Sequence, residues 1–378
     1  MLYSEFTSTI QSVRSPAWIL TYTTVDVPLA QKLAAIAKAY PGVPVFGCTS
    51  FQGVFSPLGF TRGMHALIAS AEDGVRAATA LRAVGSSRAR TEARAAAGEI
   101  RKALRDGTHC ILMHATPGFE ERVLEGIEEA YSGSPPPVYG GSAADDDMSG
   151  KWQVYSGGSV LNEGFVLAGF SSPKRVMGSF VGGYTPTNTR GVVTSVLGRM
   201  VQTIDHKPAA QVYNEWTYGG IQDQLARGGV VLQATALRPV GRLVDKVGAV
   251  PRYLLSHPHQ VMPDGSLWFF SEMREGDELV LMLGTEAALV ERTSQVATRA
   301  LGSAQGARNL SGGILVFCGG CVSAMPGKTN EVSHAFRQQL RSAPFVGAST
   351  FGEQGCFTGR NAMNRHGNLM CDAVLFEA

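Results

Sequence analysis

Pro44-Val45-Phe46-Gly47-Cys48-Thr49 is the stretch that decides the fold, because it returns as Pro137-Val138-Tyr139-Gly140-Gly141-Ser142 and as Pro344-Phe345-Val346-Gly347-Ala348-Ser349. Each copy is a proline, two apolar residues, a glycine, a small residue and a hydroxyl residue. A helical stretch lies upstream of each copy, and a short apolar run lies upstream of that helix. This order predicts a βα-type unit that the chain uses three times.

The ends of these copies favour a small-molecule pocket. The missing side chain of a glycine lets a ligand approach the backbone, while the hydroxyl and the free amides supply hydrogen-bond donors. Cys48, Thr49 and Ser142 are therefore candidate ligand-binding residues.

Length and composition limit the classes of protein to consider. The chain has 378 residues, which is longer than a single hydrophobic core usually accommodates, and this length predicts two domains. A net charge of +2 without a long run of Lys and Arg argues against a nucleic-acid or membrane-surface partner. No apolar run approaches about 18 residues and the N-terminus lacks a signal-peptide pattern, so we expect a cytoplasmic protein.

The predicted fold is α/β, with two domains of mixed β-sheets flanked by helices, over residues 1–185 and 186–378. Apolar residues recur at helical spacing over 29–40, 90–104 and 286–301. The stretch 192–204 is strand-like. Six cysteines spread over a long chain, mostly in apolar runs, make a disulfide framework an unfavourable interpretation.

Four spaced motifs together resemble the FIST (F-box and intracellular signal transduction) family. They lie at 45–53, at 140–146, at 204–216 and at 350–355 with 366–368. The resemblance extends over residues 16–378 and covers both the N- and C-terminal FIST domains. It implies a sensor module of signal transduction.

The resemblance also implies what the sensor binds. Some free-standing FIST proteins bind haem, sense nitric oxide and regulate a histidine kinase, and this chain is similar to that subgroup. We therefore expect a haem cofactor, a gas or small-molecule ligand and a signalling partner such as a histidine kinase, with a homo-oligomer left open. The alternative is a haem-free sensor of a small polar metabolite such as an amino acid.

An enzyme is not expected, because the sequence contains no P-loop, nucleophile elbow or dinucleotide fingerprint. A thiol-dependent enzyme that uses Cys318 and Cys321 is the remaining hypothesis of this class. In this lone Cys-x-x-Cys, zinc would need two further ligands, and a redox pair would need a helix N-terminus directly after the strand. The glycines between the cysteines favour a ligand-approach loop, which makes Cys318 a candidate pocket residue.

Glu353, His366 and Asn368 form the densest polar cluster at predicted strand ends. A carboxylate, an imidazole and an amide can together fix a polar ligand, although the same groups also cap turns. Asp146 falls in the Gly-Gly-Ser-Ala-x-Asp-Asp pattern of the family resemblance. It is a candidate ligand contact, and the alternative is an acid on a solvated loop.

His257 is the candidate axial ligand of a haem. It follows an apolar strand and precedes a proline turn, and a haem pocket needs one imidazole among apolar residues. We expect its ring to face a space that four neighbours line. These neighbours are Tyr253, Leu255, Val261 and Met262.

Overall fold

The computed structural model describes residues 1–5, 15–105, 107–302, 309–357, 359 and 362–378. Two successive segments form the first half of the chain. The first comprises β1 (Leu2–Glu5), β2 (Pro16–Thr23), α1 (Leu29–Ala39), β3 (Val45–Thr49), β4 (Val54–Ser56), β5 (Gly59–Thr61) and β6 (Met64–Ser70). The second comprises β7 (Arg76–Arg82), α2 (Ser86–Ala103), β8 (Cys110–Ala115), α3 (Glu120–Ala130), β9 (Val138–Gly141), β10 (Val154–Ser156), β11 (Ser159–Leu161) and β12 (Phe165–Ser171).

The third segment begins with β13 (Val176–Val181) and is interrupted by an insertion. The insertion comprises β14 (Thr185–Leu197), β15 (Met200–Ile204), β16 (Lys207–Pro208), α4 (Ala209–Trp216), α5 (Gln222–Arg227), β17 (Gly229–Val230), α6 (Leu232–Thr235), β18 (Val240–Val247), β19 (Val250–Ser256), β20 (Pro258–Val261), β21 (Leu267–Phe269) and β22 (Glu278–Leu283). The segment resumes with α7 (Glu286–Leu301), β23 (Leu310–Cys318), α8 (Gly319–Ala324), α9 (Thr329–Leu340), β24 (Phe345–Thr350), β25 (Glu353–Phe357), β26 (Met363–Gly367) and β27 (Cys371–Glu377).

The predicted repeat of strand, helix and strand is confirmed in all three segments. In each, the strand that carries the sequence repeat lies parallel to the strand before the helix: β3 beside β2, β9 beside β8 and β24 beside β23. A hairpin follows, and then a strand antiparallel to the first. The helices cover the sheets with apolar faces, as α1 does with Leu33 and Ile36.

Each segment contributes its hairpin to the sheet of another segment. The three six-stranded sheets have the orders β1-β6-β2-β3-β10-β11, β7-β12-β8-β9-β25-β26 and β13-β27-β23-β24-β4-β5. The second segment thus completes the first sheet, the third completes the second, and the first completes the third. The exchange is cyclic and gives the three sheets one shared strand order.

The insertion forms a fourth, antiparallel sheet of nine strands. The strand-like stretch 192–204 is found in strands, and Gly198 in the left-handed region turns the chain and makes a hairpin of β14 and β15. The predicted α/β class with mixed sheets flanked by helices is confirmed. The predicted division at 185/186 stays a prediction, and β13, just before it, pairs with the C-terminal strand β27.

Helices in the described ranges fall short of the combination of length and apolarity that crossing a bilayer requires. The predicted helix over 286–301 coincides with α7. Its first turn is capped by the Thr285 hydroxyl, which accepts a hydrogen bond from the Ala288 amide. All six cysteines are buried and free.

Candidate functional site

The ends of β3, β9 and β24 meet where the three sheets adjoin, and we call this region the junction. In each repeat the carbonyl of the hydroxyl residue accepts a hydrogen bond from an amide of another repeat. The bonds are Ala144 N to Thr49 O at 3.0 Å, Phe351 N to Ser142 O at 3.0 Å and Phe51 N to Ser349 O at 2.9 Å. The three bonds form a closed cycle, so the strand ends use these backbone groups to hold one another.

The glycines of the junction give room to protein rather than to a ligand. A Cβ atom at Gly47 would lie 1.7 Å from the Thr21 carbonyl oxygen, and one at Gly140 would lie 1.9 Å from that of Met113. Gly140 also has a φ of +139°, which residues with a side chain rarely adopt. The expectation that these glycines let a ligand approach is therefore wrong at the two positions.

The hydroxyl and thiol residues of the junction are likewise engaged within the protein. Thr49 Oγ1 accepts a hydrogen bond of 2.8 Å from the Gln153 amide, and Cys48 packs in the hydrophobic core beneath it. Ser142 Oγ donates to Glu120 Oε1 at 2.7 Å. The ligand-binding role of Cys48, Thr49 and Ser142 stays a prediction.

A buried ion-pair cluster joins the junction to the insertion. Arg199, in the β14–β15 turn, lies 2.8 Å from Glu120 and 2.6 Å from Glu121 at the start of α3. Burial raises the pKa of Glu120, but the charges of Arg199 and His366 and the hydrogen bonds from Ser142 and Arg199 together more than offset it, and the pKa falls to about 2. The carboxylate oxygens of both acids and a ring nitrogen of His366 lie within 4.8 Å of one another. Arg199 already supplies the positive charge there.

His366 and Gln354 complete this cluster. The Gln354 amide contacts His366 Nδ1 at 3.0 Å and donates to Ser142 Oγ at 3.3 Å. His366 Nε2 is buried without a hydrogen-bond partner in the described part of the chain. His366 lies near the end of β26, and Asn368 lies in the turn that follows it.

Glu353 is fully buried at the start of β25. Its Oε1 accepts from the Thr350 hydroxyl and its Oε2 from the Met370 amide, both at 2.9 Å. Burial, with a further contribution from the charge of Cys321, raises the pKa of Glu353 to about 8. The carboxyl group is thus largely protonated at neutral pH, and its ligand-binding role stays a prediction.

A cavity of about 430 Å³ lies between the insertion and the third segment. Phe51 and Phe351 stand on one side, with ring centroids 5.6 Å apart, and α6 and α8 form the other walls. Its lining residues are Phe51, Met148, Leu232, Gln233, Ala236, Leu237, His257, Phe270, Cys318, Gly319, Gly320, Ser323, Ala324, Phe351, Gly352 and Asn368. Three sequence-predicted site residues, His257, Cys318 and Asn368, are thus brought together in one wall.

His257 is held in a defined orientation at the edge of this cavity. Its Nε2 lies 3.1 Å from the Leu232 carbonyl oxygen, so Nε2 carries the hydrogen and donates it. The ring edge with Nδ1 and Cε1 faces Gly320, where a Cβ atom would lie 3.4 Å from both atoms. Asn368 Oδ1 accepts from the His257 amide at 3.3 Å. Burial lowers the pKa of His257 to about 4, which keeps the imidazole neutral at neutral pH.

Family models match nearly the whole chain. The FIST N domain matches residues 17–207, and the FIST C domain matches residues 209–356. This chain belongs to the FIST family. FIST domains are sensor domains of signal transduction that bind small ligands, and the chain carries both of them. A search of the curated proteins found no match.

The remaining predicted residues of this FIST protein lie outside the cavity wall. Asp146 accepts a hydrogen bond of 2.9 Å from the Gln52 amide and forms an exposed ion pair with Arg62 at 2.8 Å. These contacts fit the solvated-loop alternative. The predicted wall beside His257 is wrong, because Leu255 and Val261 pack in hydrophobic cores, and the cavity is lined by residues of α6 and α8 instead.

Sequence reasoning missed several residues that shape the site of this FIST protein. Phe51 and Phe351 each follow the hydroxyl of a repeat by two positions, and this shared spacing was a usable signal. Arg199 carried no sequence signal, because it lies within the strand-like stretch 192–204. Arg292 lies in the apolar stripe of α7, three residues after Leu289, and a charge in such a stripe marks an unusual buried cation.

Proposed function

We propose that this FIST protein senses a ligand in the cavity around His257, that haem is the group the cavity holds, and that nitric oxide is the signal. The observation that carries the proposal is a neutral imidazole in the wall of an apolar cavity. Haem iron is commonly held by such an imidazole. When bound, haem supplies an iron with an axial position for a diatomic gas.

The contacts of His257 suit a metal ligand. A ligating histidine usually donates its second N–H to a carbonyl or carboxylate, which fixes the ring and its tautomer. The Leu232 carbonyl takes this role for Nε2, so Nδ1 is the nitrogen left with a lone pair. The absence of a side chain at Gly320 keeps the space beside Nδ1 clear.

The rest of the wall suits an apolar ring system. The lining side chains are mostly aliphatic or aromatic, and none of those in the described ranges is a carboxylate, a lysine or an arginine. Burial of such a surface against an apolar ligand is favourable in proportion to area. The wall offers no cation to the carboxylates of haem, so these would have to remain in solvent.

The position of the cavity suits a relay. α6 and His257 belong to the insertion, whereas α8 and Phe351 belong to the third segment. A ligand that contacts both the insertion and the third segment changes how these two parts pack against each other. A ligand shifts a conformational equilibrium only when it contacts the two conformations differently. The family resemblance supports a histidine kinase as the partner that reads this change.

Haem titration tests the proposal. We expect purified protein to acquire a Soret band with added haem and to bind nitric oxide in the ferrous state. His257→Ala should lower haem occupancy or shift the band, because the imidazole ligand is lost. His259→Ala is the matched control, since this half-buried histidine lies two residues away and stacks on Phe270 at 4.5 Å. It should keep the wild-type spectrum.

Two results would contradict the proposal. Protein that stays colourless would leave a haem-free sensor of a small molecule, and the same cavity would then be screened with uncharged and amino-acid ligands. Loss of the Soret band in His366→Ala but not in His257→Ala would move the ligand to the cluster near the junction. The partner is tested by the autophosphorylation of a co-expressed histidine kinase, which should differ between protein with and without nitric oxide.

A further inference from the structure

We propose that Cys318 and Cys321 are an oxidation site, at which hydrogen peroxide converts the two thiols into a disulfide within the cavity wall. The proposal is independent of haem. It concerns a covalent modification rather than ligand binding, and it rests on four side chains: the two cysteines, Arg292 and Tyr184.

The backbone brings the two sulfur atoms together. Cys318 is the last residue of β23, and Cys321 lies in the first turn of α8 that follows directly. This is the strand-to-helix placement that a redox pair needs, rather than the open loop that the glycines favoured. Cys318 is the N-cap of α8 and Cys321 lies three residues later, a spacing that places side chains next to each other, and both thiols are free. A short internal bridge therefore requires little movement.

Arg292 is a buried cation without a carboxylate of its own at this site. It is fully buried, and its Nη1 donates to the carbonyls of Gly182 at 2.9 Å and Leu369 at 2.6 Å. Its Nε and Nη2 have no hydrogen-bond partner among the described residues. The guanidinium lies 4.2 Å over the Phe317 ring, beside the cysteine pair. A buried charge needs a counter-charge, and a thiolate can supply it.

The surroundings of Cys321 favour that thiolate. The Tyr184 hydroxyl lies 3.5 Å from its Sγ atom and 2.8 Å from the Ala236 carbonyl oxygen, so its single hydrogen points to one or the other, and a negative charge on the sulfur draws it to Cys321. Burial raises the pKa of the Cys321 thiol, but the hydrogen bond from Cys318 and the charge of Arg292 more than offset this and lower it to about 6. By contrast, burial raises the pKa of Cys110 to about 12. The thiolate, not the thiol, is the reactive form.

The cavity gives an oxidant access to the pair. Cys318, Gly319 and Gly320 line the cavity, whereas Cys321 is fully buried behind them. A small peroxide that enters the cavity therefore meets Cys318 first. Burial holds the pKa of Cys318 well above its usual range, so Cys318 is the thiol of the pair. The neighbouring Cys321 thiolate is then the base that removes the Cys318 proton as this sulfur attacks.

The reaction balances in two steps. The Cys318 sulfur loses its proton to the Cys321 thiolate and attacks one peroxide oxygen, so that an S–O bond forms, the O–O bond breaks and hydroxide leaves. The hydroxide takes the proton from Cys321 and becomes water. Cys321, again a thiolate, then attacks the sulfur of the resulting sulfenic acid. The S–S bond forms, the S–O bond breaks and a second hydroxide leaves, which becomes water with a proton from the solvent. The two thiols are oxidised by two electrons, and the peroxide is reduced.

The test uses the full-length protein without added haem and treats it with hydrogen peroxide. We expect intact-mass spectrometry to show the loss of two hydrogen atoms, and peptide mapping to join Cys318 to Cys321. Cys321→Ser should form no disulfide, and because the base is lost, dimedone should trap a sulfenic acid on Cys318 only slowly. Cys318→Ser should form neither product. Cys110→Ser removes a fully buried cysteine elsewhere and should oxidise like wild type.

Tyr184→Phe keeps the proposal testable if the cysteine variants do not fold, because it removes only a hydroxyl. It should slow disulfide formation several-fold by withdrawing a hydrogen bond from Cys321. An unchanged mass after treatment, with six thiols titrating in the denatured protein, would overturn the proposal. A disulfide between other cysteines, or a wild-type rate in Tyr184→Phe, would also overturn it. A colourless protein in the haem titration leaves these results unaffected.

Discussion

The junction and the cavity are built from neighbouring parts of the same strand ends, but they handle polar groups differently. In the junction, amides meet carbonyls in a closed cycle, and Ser142, Gln354 and Glu120 contact one another or the backbone. In the cavity wall, His257 has one ring nitrogen bonded to a carbonyl, and the other faces Gly320, which has no side chain. The junction therefore holds the three sheets together, whereas the cavity is the place that a ligand can reach. The repeated sequence element contributes residues to both.

The two buried histidines His114 and His257 show the same contrast. Burial lowers the pKa of each to about 4. His114 uses both ring nitrogens inside the core, with Tyr22 at 3.0 Å and the Gly141 carbonyl at 2.8 Å. Burial and neutrality alone therefore do not identify a ligand site. The neighbouring cavity is the feature that distinguishes His257.

The largest expected effect comes from filling the junction. Gly140→Ala places a Cβ atom 1.9 Å from the Met113 carbonyl oxygen at a positive φ, so we expect a loss of more than about 4 kcal/mol in the free energy of unfolding. Gly98→Ala is the control, because this glycine lies in α2 with nothing within 4 Å of the added atom. It should stabilise by about 0.5–1 kcal/mol. Equal denaturant midpoints for the two variants would contradict the prediction that Gly140 is tightly packed and Gly98 is not.

A smaller effect is expected where the junction contacts the insertion. Arg199→Ala leaves the buried carboxylate of Glu120 without its partner and should lower the free energy of unfolding by about 3 kcal/mol. Arg190→Ala breaks a surface ion pair with Glu278 and should cost less than about 1 kcal/mol. Urea denaturation of both variants measures the difference. Similar losses would mean that the Arg199 cluster does not hold the insertion in place.

The smallest of these effects is a pH dependence. Because the pKa of Glu353 is raised from 4.5 to about 8, the folded protein binds this proton more tightly than the unfolded chain. Its stabilising contribution is present below about pH 4.5 and is lost as the pH rises through 8. A pKa shift of this size corresponds to about 5 kcal/mol, and replacing one oxygen by an amide NH₂ group that faces the Met370 amide or the Thr350 hydroxyl costs up to about 3 kcal/mol. Glu353→Gln should therefore be more stable than wild type at pH 9 by at least about 2 kcal/mol.

The comparison is made by thermal unfolding of both proteins between pH 5 and 9. Glu278→Gln, at the surface, should follow the wild-type pH dependence. A Glu353→Gln variant with the full wild-type slope would show that another buried group titrates. The acids and thiols nearest to Glu353, Asp372 and Cys321 among them, would then be the next substitutions.

Local elements of this fold could be predicted from the sequence, whereas their partners could not. The spacing of apolar residues predicted both ends of α7 correctly, because a long amphipathic helix repeats its apolar positions about every 3–4 residues. The hairpin β4–β5 has no such signal for its neighbour β24, which lies nearly 300 residues further along the chain. Alternation within a strand indicates which face is buried, but not which strand lies beside it.

The site was predictable to the same extent. His257 and Asn368 were found because polar residues next to apolar strands are unusual, and both line the cavity. The cavity walls formed by α6 and α8 were not predicted, because tertiary packing alone brings these two helices together. For Cys318 and Cys321, the glycines between them suggested a loop, yet the chain continues directly into α8. Local glycine content was outweighed by the packing of Cys321 and Val322 in the core.

The cyclic exchange of hairpins also bears on how the protein is made and divided. The second sheet receives β25 and β26 only after the ribosome has released nearly all of the chain. Until then the edge of β9 is unpaired, and exposed strand edges invite association with other chains. A fragment that ends at the FIST N boundary would keep that open edge permanently, so gene fusions and truncations of this protein should keep both matched regions in one polypeptide.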